Sequence, residues 1–266
     1  MAAPVLNAPR RRRPPRTFGR RRVVAIISLA VVLGVWELLG RRQPLFASFP
    51  SEIAVAAVRI FLPQIVPAFA STLIGYVAGL AIAIPLAIVI GVAMGRVRLV
   101  DIVLAPYVNA LYVTPRIALI PLLVLWLGLD FQLRVAIVVL SAIFPMIVNI
   151  YAGMRNVDHA LLEVGRVFVA SPRQRLLTII VPSSVPYLFT GLRLGISRAL
   201  GGVIVAEMTA SITGIGRKLI DYSTFFLVDQ LFVGIITVGF FGLLVTAGLR
   251  AFQHATASWT EVATSR

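Results

Sequence analysis

Six long apolar runs dominate this 266-residue chain, and they dictate its solvent before any motif is read. They cover approximately Val23 to Gly40, Ser71 to Met94, Ile102 to Leu127, Leu133 to Tyr151, Ser184 to Ala206 and Leu231 to Ala251. A hydrocarbon layer about 30 Å thick is crossed by about 20 helical residues, so each run predicts one transmembrane helix. The runs are continuously apolar and lack the alternation that marks the strands of a membrane barrel. An all-α membrane protein with six transmembrane helices is therefore expected. The composition, 59% hydrophobic and 13% charged, agrees with lipid as the surroundings.

A formal charge of +15 would point a water-soluble protein toward nucleic acid. Here the basic residues cluster between apolar runs, where they set membrane orientation, so no nucleic-acid partner is expected. With the N-terminus in the cytoplasm, the segments on that side hold sixteen Lys and Arg and the opposite segments hold six, while three fall within or at the ends of runs. That bias places both termini inside. Residues 1–22, rich in Arg and Pro, read as a disordered basic cytoplasmic segment. The run 23–40 is longer than a secretory signal core, carries Trp36 and Glu37 and has no clear small-x-small cleavage site, so it reads as a retained first span. Residues 41–70 then form an extracytoplasmic segment, 71–251 a core with five further helices, and 252–266 a cytoplasmic tail. Cysteine is absent, which removes disulfides, thiolate metal sites and thiol nucleophiles.

The third run contains Pro106, Pro115 and Pro121, each of which removes a backbone hydrogen bond or breaks the helix. Broken helices persist at membrane depth only where protein or a watery cavity covers the freed groups. Pro115 and Pro121 are thus candidates for a pathway-lining or gating element, and a re-entrant or kinked packing helix remains the alternative. The pairs Gly75 and Gly79, Gly91 and Gly95, and Gly191 and Gly195 are spaced to let helix backbones approach closely.

The longest internal polar segment, 153–183, falls on the side assigned to the cytoplasm. Asn156 and Asp158 are candidate caps for a short helix running through Glu163 toward Phe168. Ser171 followed by Pro172 is a second helix start, with Ser as cap and Pro at the first helical position, and Pro182 is expected to limit that helix. The result is helix, turn, helix, with Leu161, Leu162, Phe168, Leu176 and Leu177 supplying apolar faces and Arg166, Arg173 and Arg175 supplying charge.

At these residues the chain resembles the permease subunits of ATP-binding-cassette (ABC) importers. Their signature of glutamate and two small residues, a glycine further on and a closing proline is matched in spacing by Glu163-Val164-Gly165, then Val169-Ala170-Ser171, then Ile179-Ile180-Val181-Pro182. Val169 stands where the family usually has glycine, and a β-branched residue tolerates left-handed backbone poorly. The resemblance extends from about Phe49 to Arg250. It runs in order through Phe49-Pro50-Ser51, Thr114-Pro115-Arg116, Pro121-Leu122, Phe144-Pro145, Tyr151-Ala152-Gly153, Gly191-Leu192-Arg193, Val205-Ala206-Glu207-Met208 and Gly214-Ile215-Gly216. The whole set is most similar to the nitrate, sulfonate, taurine and bicarbonate branch.

The resemblance implies a type I importer permease (MetI-like) fold in the bacterial inner membrane. It also implies a second permease copy forming a homodimer, two cytoplasmic ABC ATPase subunits and an extracytoplasmic substrate-binding protein. The ATPase-coupling residues it assigns are Glu163, Val164, Gly165, Val169, Ala170, Ser171, Pro172, Arg173 and Pro182. Independently, the chain has no G-x-x-x-x-G-K-[ST] phosphate loop, so no cofactor is expected in it and ATP belongs to the partner ATPase.

Ionisable residues inside a membrane are costly unless paired or hydrated. Arg116 and Arg198 are therefore candidate contacts for an anionic solute such as a sulfonate, taurine or nitrate. Glu207 is a further candidate, with pairing to an arginine or a place at the outer interface as its alternatives. Arg193 lies where it can snorkel. His159 and His254 lack partners at ligand spacing, and no hydrolase constellation can be assembled. The rival function is an ion-coupled secondary transporter, which would carry midplane coupling carboxylates that are scarce here.

Overall fold

The computed structural model describes residues 18–42 and 48–256, and among them it is helical throughout, without strands. Most of the predicted disordered segment and the last ten residues of the tail lie outside the described residues. Helix α1 spans Phe18–Gly40. Helix α2 (Pro50–Ile60) passes through a π turn (Phe61–Ile65) into α3 (Val66–Arg96), so much of the segment between the first two spans is itself helical. Helix α4 (Arg98–Val113), a 3-10 turn (Arg116–Leu119) and α5 (Ile120–Leu127) follow, with a 96° bend between α4 and the remainder. Next come α6 (Phe131–Arg155), α7 (His159–Val167), α8 (Pro172–Arg175) and a second π turn (Leu176–Ile180). Helices α9 (Val181–Ala210), α10 (Ile215–Thr224) and α11 (Val228–Thr256) complete the chain.

Five helical stretches are long and apolar enough to cross a membrane, or six if the bent pair is one span. The packing register decides that the chain recrosses at the bend. A Cβ on Gly75, Gly79, Gly91 or Gly95 would meet Arg134, Val138, Ile150 or Met154 respectively. The offset between the two helices is constant, so α3 and α6 run parallel. After leaving α3 at Arg96 the chain must therefore return the full height of the bundle before α6 begins at Phe131. The bent pair α4 and α5 makes that return.

Helix α9 packs on α6 in the opposite sense: Gly153 meets Tyr187, Gly191 meets Asn149 and Met146, and Gly202 meets Ser141. These close approaches explain the small residues, since any side chain there would part the backbones. Helix α6 is the centre of the core, with Val138, Ala142 and Met146 fully buried. Helix α11 runs parallel to α3 and α6, with Phe241 against Phe69 and Tyr76, and with Gln253 accepting a 2.7 Å hydrogen bond from Arg193 Nη2 near the far end. Trp36, near the end of α1, packs its ring at a tilt against Phe232 at the start of α11 and donates to the Ser48 carbonyl at 2.9 Å. The beginning of α1 and the end of α11 thus lie on the same face of the bundle as α7 and α8.

The prolines act locally as their geometry requires. Pro115 sits in the break after α4 and Pro121 in the first turn of α5, whereas Pro106 is carried inside α4. Pro182 does not limit the second short helix. Pro172–Ala210 is one continuous 39-residue helical stretch. The π turn over Leu176–Ile180 widens the helix just before Pro182, so its ring and missing N–H are accommodated without a break. The same device precedes Pro67, where the π turn Phe61–Ile65 leads into α3.

Candidate functional site

The polar turn between α7 and α8 is built from two interlocked caps. Asp158 caps α7, its carboxylate accepting from the Ala160 N–H at 2.9 Å. At the other end, the Ala170 N–H donates to the Gly165 carbonyl at 3.0 Å and the Val169 N–H to the Arg166 carbonyl at 2.9 Å. This is the Schellman pairing, which requires a left-handed residue at the Val169 position. Val169 adopts it, with φ of 51°. The turn therefore keeps the backbone that glycine would favour, and the valine bears the strain while 89% exposed. The next residue but one opens α8: Ser171 Oγ accepts from the Gln174 N–H at 3.2 Å while Gln174 Oε1 accepts from the Ser171 N–H at 2.8 Å, a complete capping box.

The structure thus brings Glu163, Val164, Val169, Ser171, Pro172 and Arg173 together on one exposed knuckle, with Ala170 half-buried. Gly165 is buried beneath it, and Pro182 lies outside it, on the stem. Val164, Val167, Phe168 and Leu177 add apolar surface that nothing among the described residues covers.

A cleft of about 290 Å³ lies between the bent element and α9, lined by Arg116, Ile117, Ile120, Ile137, Ser141, Arg198, Gly201, Gly202 and Val205. The Pro115 break turns Arg116 into this space. Its Nη2 donates to the Tyr112 carbonyl at 3.3 Å, while its buried Nε has no partner. The Arg198 guanidinium lies 5.5 Å from the centroid of the Tyr112 ring, a cation-π placement. Among the described residues neither arginine has a carboxylate partner. Two cations, one hydroxyl and aliphatic walls suit a small anion carrying an apolar portion.

Glu207 does not line the cleft. It is fully buried at the end of the bundle away from the knuckle, where its Oε1 lies 3.2 Å from Arg134 Nη1. Oε2 accepts from Thr72 Oγ1 at 2.8 Å and from the Gly216 N–H at 2.9 Å. Arg134 also donates to the Ser71 carbonyl and hydroxyl, both at 3.0 Å, and its Nη2 lies 3.2 Å from Asp130 Oδ1. The cluster ties α3, α6, α9 and the start of α10 together. Gly214, at φ of 100°, is needed here because a Cβ would overlap the Glu207 carboxylate. Arg134 was not singled out from the sequence as a site residue; it is the second residue of the run Leu133 to Tyr151, and its spacing of four from Asp130 was the available signal.

Asp130 lies just outside α6 and accepts from Thr213 Oγ1 at 2.7 Å and Ser211 Oγ at 2.9 Å. Partial burial pushes its carboxyl up, but these two hydrogen bonds and the Arg134 charge outweigh that and hold it below the usual carboxylate range.

Residues 83–258 match the family model described as the binding-protein-dependent transport system inner membrane component. A protein of Brucella abortus (strain 2308) named as a probable ABC transporter permease is 31% identical over 89% of this chain and 95% of its own length. The taurine transport system permease protein TauC of Escherichia coli (strain K12) is 27% identical, covering 91% of each chain. The formylaminopyrimidine transport permease protein ThiX of Halalkalibacterium halodurans is 28% identical over 86% of this chain and 92% of its own. Such permeases are non-enzymatic and work with an ATPase and a binding protein. The chain belongs to the binding-protein-dependent inner membrane components and is a multi-pass permease subunit of an ABC importer.

Proposed function

We propose that this permease carries a small organic anion of the sulfonate class past Arg116 and Arg198, and that the knuckle from Glu163 to Arg173 docks on the ATPase that drives the step. The observation that carries the substrate reading is the convergence of two carboxylate-free guanidinium groups and the Ser141 hydroxyl on one cleft with aliphatic walls. Taurine, named for one relative, carries a sulfonate that the two guanidinium groups could hold, beside an ammonium that leaves it a zwitterion; formylaminopyrimidine, named for another, carries no anionic group. The docking reading is supported by the exposed apolar knuckle held by two caps, and by family membership. ATP is then bound and hydrolysed by the ATPase, not by this chain.

The knuckle, the beginning of α1 and the end of α11 share one face, and the positive-inside bias assigns that face to the cytoplasm. Two copies of the chain enclose the pathway, each contributing one cleft. An ion-coupled secondary transporter is disfavoured by the family membership.

Uptake into proteoliposomes containing the permease, its ATPase and its binding protein tests the reading. Taurine uptake that depends on ATP and falls at least tenfold in Arg116→Gln and Arg198→Gln supports it. Unchanged uptake in both variants overturns the anion pathway, and retention of the ATPase by a Ser171→Pro variant overturns the docking role of the knuckle.

A further inference from the structure

A second basic site lies on the knuckle face, and the anion cleft does not account for it. Arg96, the last residue of α3, Arg166 on α7 and Arg175 at the end of α8 line a pocket of about 200 Å³ together with Leu162, Pro172 and Ile180. No acidic side chain lines it. None of the three arginines makes an ion pair or side-chain hydrogen bond among the described residues, and the buried Nε of Arg175 has no partner.

The pocket is constructed around Arg175. A Cβ on Gly165 would stand 3.3 Å from Arg175 Cγ and 2.8 Å from Ile179 Cδ1, so the missing side chain is what lets the arginine stem lie down across α7. Three like charges lining one pocket without a counter-charge repel one another, and an anion between them relieves that repulsion. Guanidinium forks match the oxygens of a phosphate in pairs, which an ammonium would not do. The position also fits: Arg96 ends a membrane-crossing helix, at the depth where phosphodiester groups of lipids lie, and basic pockets between helices at that level bind lipid headgroups.

We infer that Arg96, Arg166 and Arg175 form a binding site for a phosphate group, which fastens the knuckle to the end of α3. The phosphate comes from an anionic lipid headgroup or from free phosphate. The inference does not depend on what passes the Arg116 cleft, and it stands or falls separately from that reading.

The test uses the complete transporter, permease with ATPase, in dodecyl maltoside micelles, which carry no phosphate. One arm adds inorganic phosphate against chloride at matched ionic strength; the other adds phosphatidylglycerol to the micelles. A rise in Tm in the phosphate arm identifies a free ion, and a rise in the lipid arm, with phosphatidylglycerol retained in native mass spectra, identifies a headgroup. Either rise is lost in an Arg166→Gln, Arg175→Gln double variant and weakened in Gly165→Ala, which leaves every charge in place. It is retained in Arg98→Gln, which removes a charge next to the pocket. The proposal is overturned if neither probe raises Tm, if the rise survives in the double variant, or if it disappears in Arg98→Gln.

Discussion

Arg134 and Glu207 face each other at 3.2 Å in the interior of the bundle, and between them they hold three crossing helices and the start of α10. Removing Arg134 leaves Glu207 buried without a counter-charge, which typically costs about 3–5 kcal/mol, whereas removing Glu207 leaves Arg134 its second partner, Asp130. Arg134→Ala should therefore lower the unfolding temperature of the purified permease sharply, and Glu207→Ala should lower it less. An Arg134→Met, Glu207→Leu double variant should recover much of the loss. Single variants as stable as the parent would show that the pair does not hold the helices together.

The left-handed valine supplies a prediction of opposite sign. A non-glycine residue in this conformation costs roughly 1–2 kcal/mol, and Val169 has no packing to offset it. Val169→Gly should slow hydrogen exchange at the Val169 and Ala170 amides, whereas Ser171→Ala, which removes a cap worth about 1 kcal/mol, should speed exchange at Gln174.

Asp130 governs an acid limb. Its folded carboxyl titrates below the usual range, so its contribution is fully present above the unfolded value and is lost as pH falls through the depressed folded value. Asp130→Asn should shallow the decline of Tm on acidification from pH 5 downward, with little change in slope near neutrality. An identical acid limb in the variant would assign it to other carboxylates.

In the cleft, the Tyr112 ring is expected to hold Arg198 in place. Tyr112→Leu removes the ring face while keeping an apolar side chain, and a cation-π contact is worth about 0.5–2 kcal/mol. Uptake by the reconstituted transporter should fall severalfold, and Tyr112→Phe should restore it. Equal loss in both variants would shift the role to the tyrosine hydroxyl.

The spans and the two caps of the knuckle were legible in the sequence because each follows from a local rule. Long apolar runs give helices, and a Ser-Pro step gives a helix start. The partner of Glu207 was not legible, because Arg134 is 73 residues away and only the packing of α6 between α3 and α9 brings them together. Pro182 misled for a different reason: a widened turn upstream absorbs its ring, and no composition rule announces a π turn. The valine at position 169 marked the correct joint, but its tolerance of left-handed backbone is imposed by the two flanking caps.

The unbroken stretch from Pro172 to Ala210 has a mechanical consequence. At 1.5 Å per residue, 39 residues make a rod of about 58 Å, with the exposed knuckle at one tip, Arg198 part-way along and Glu207 clamped near the other. A hinge at Pro182 would have let the knuckle swing while the rest of the rod stayed still. Without a break there, a displacement at Ser171 is expected to carry along the helix toward Arg198.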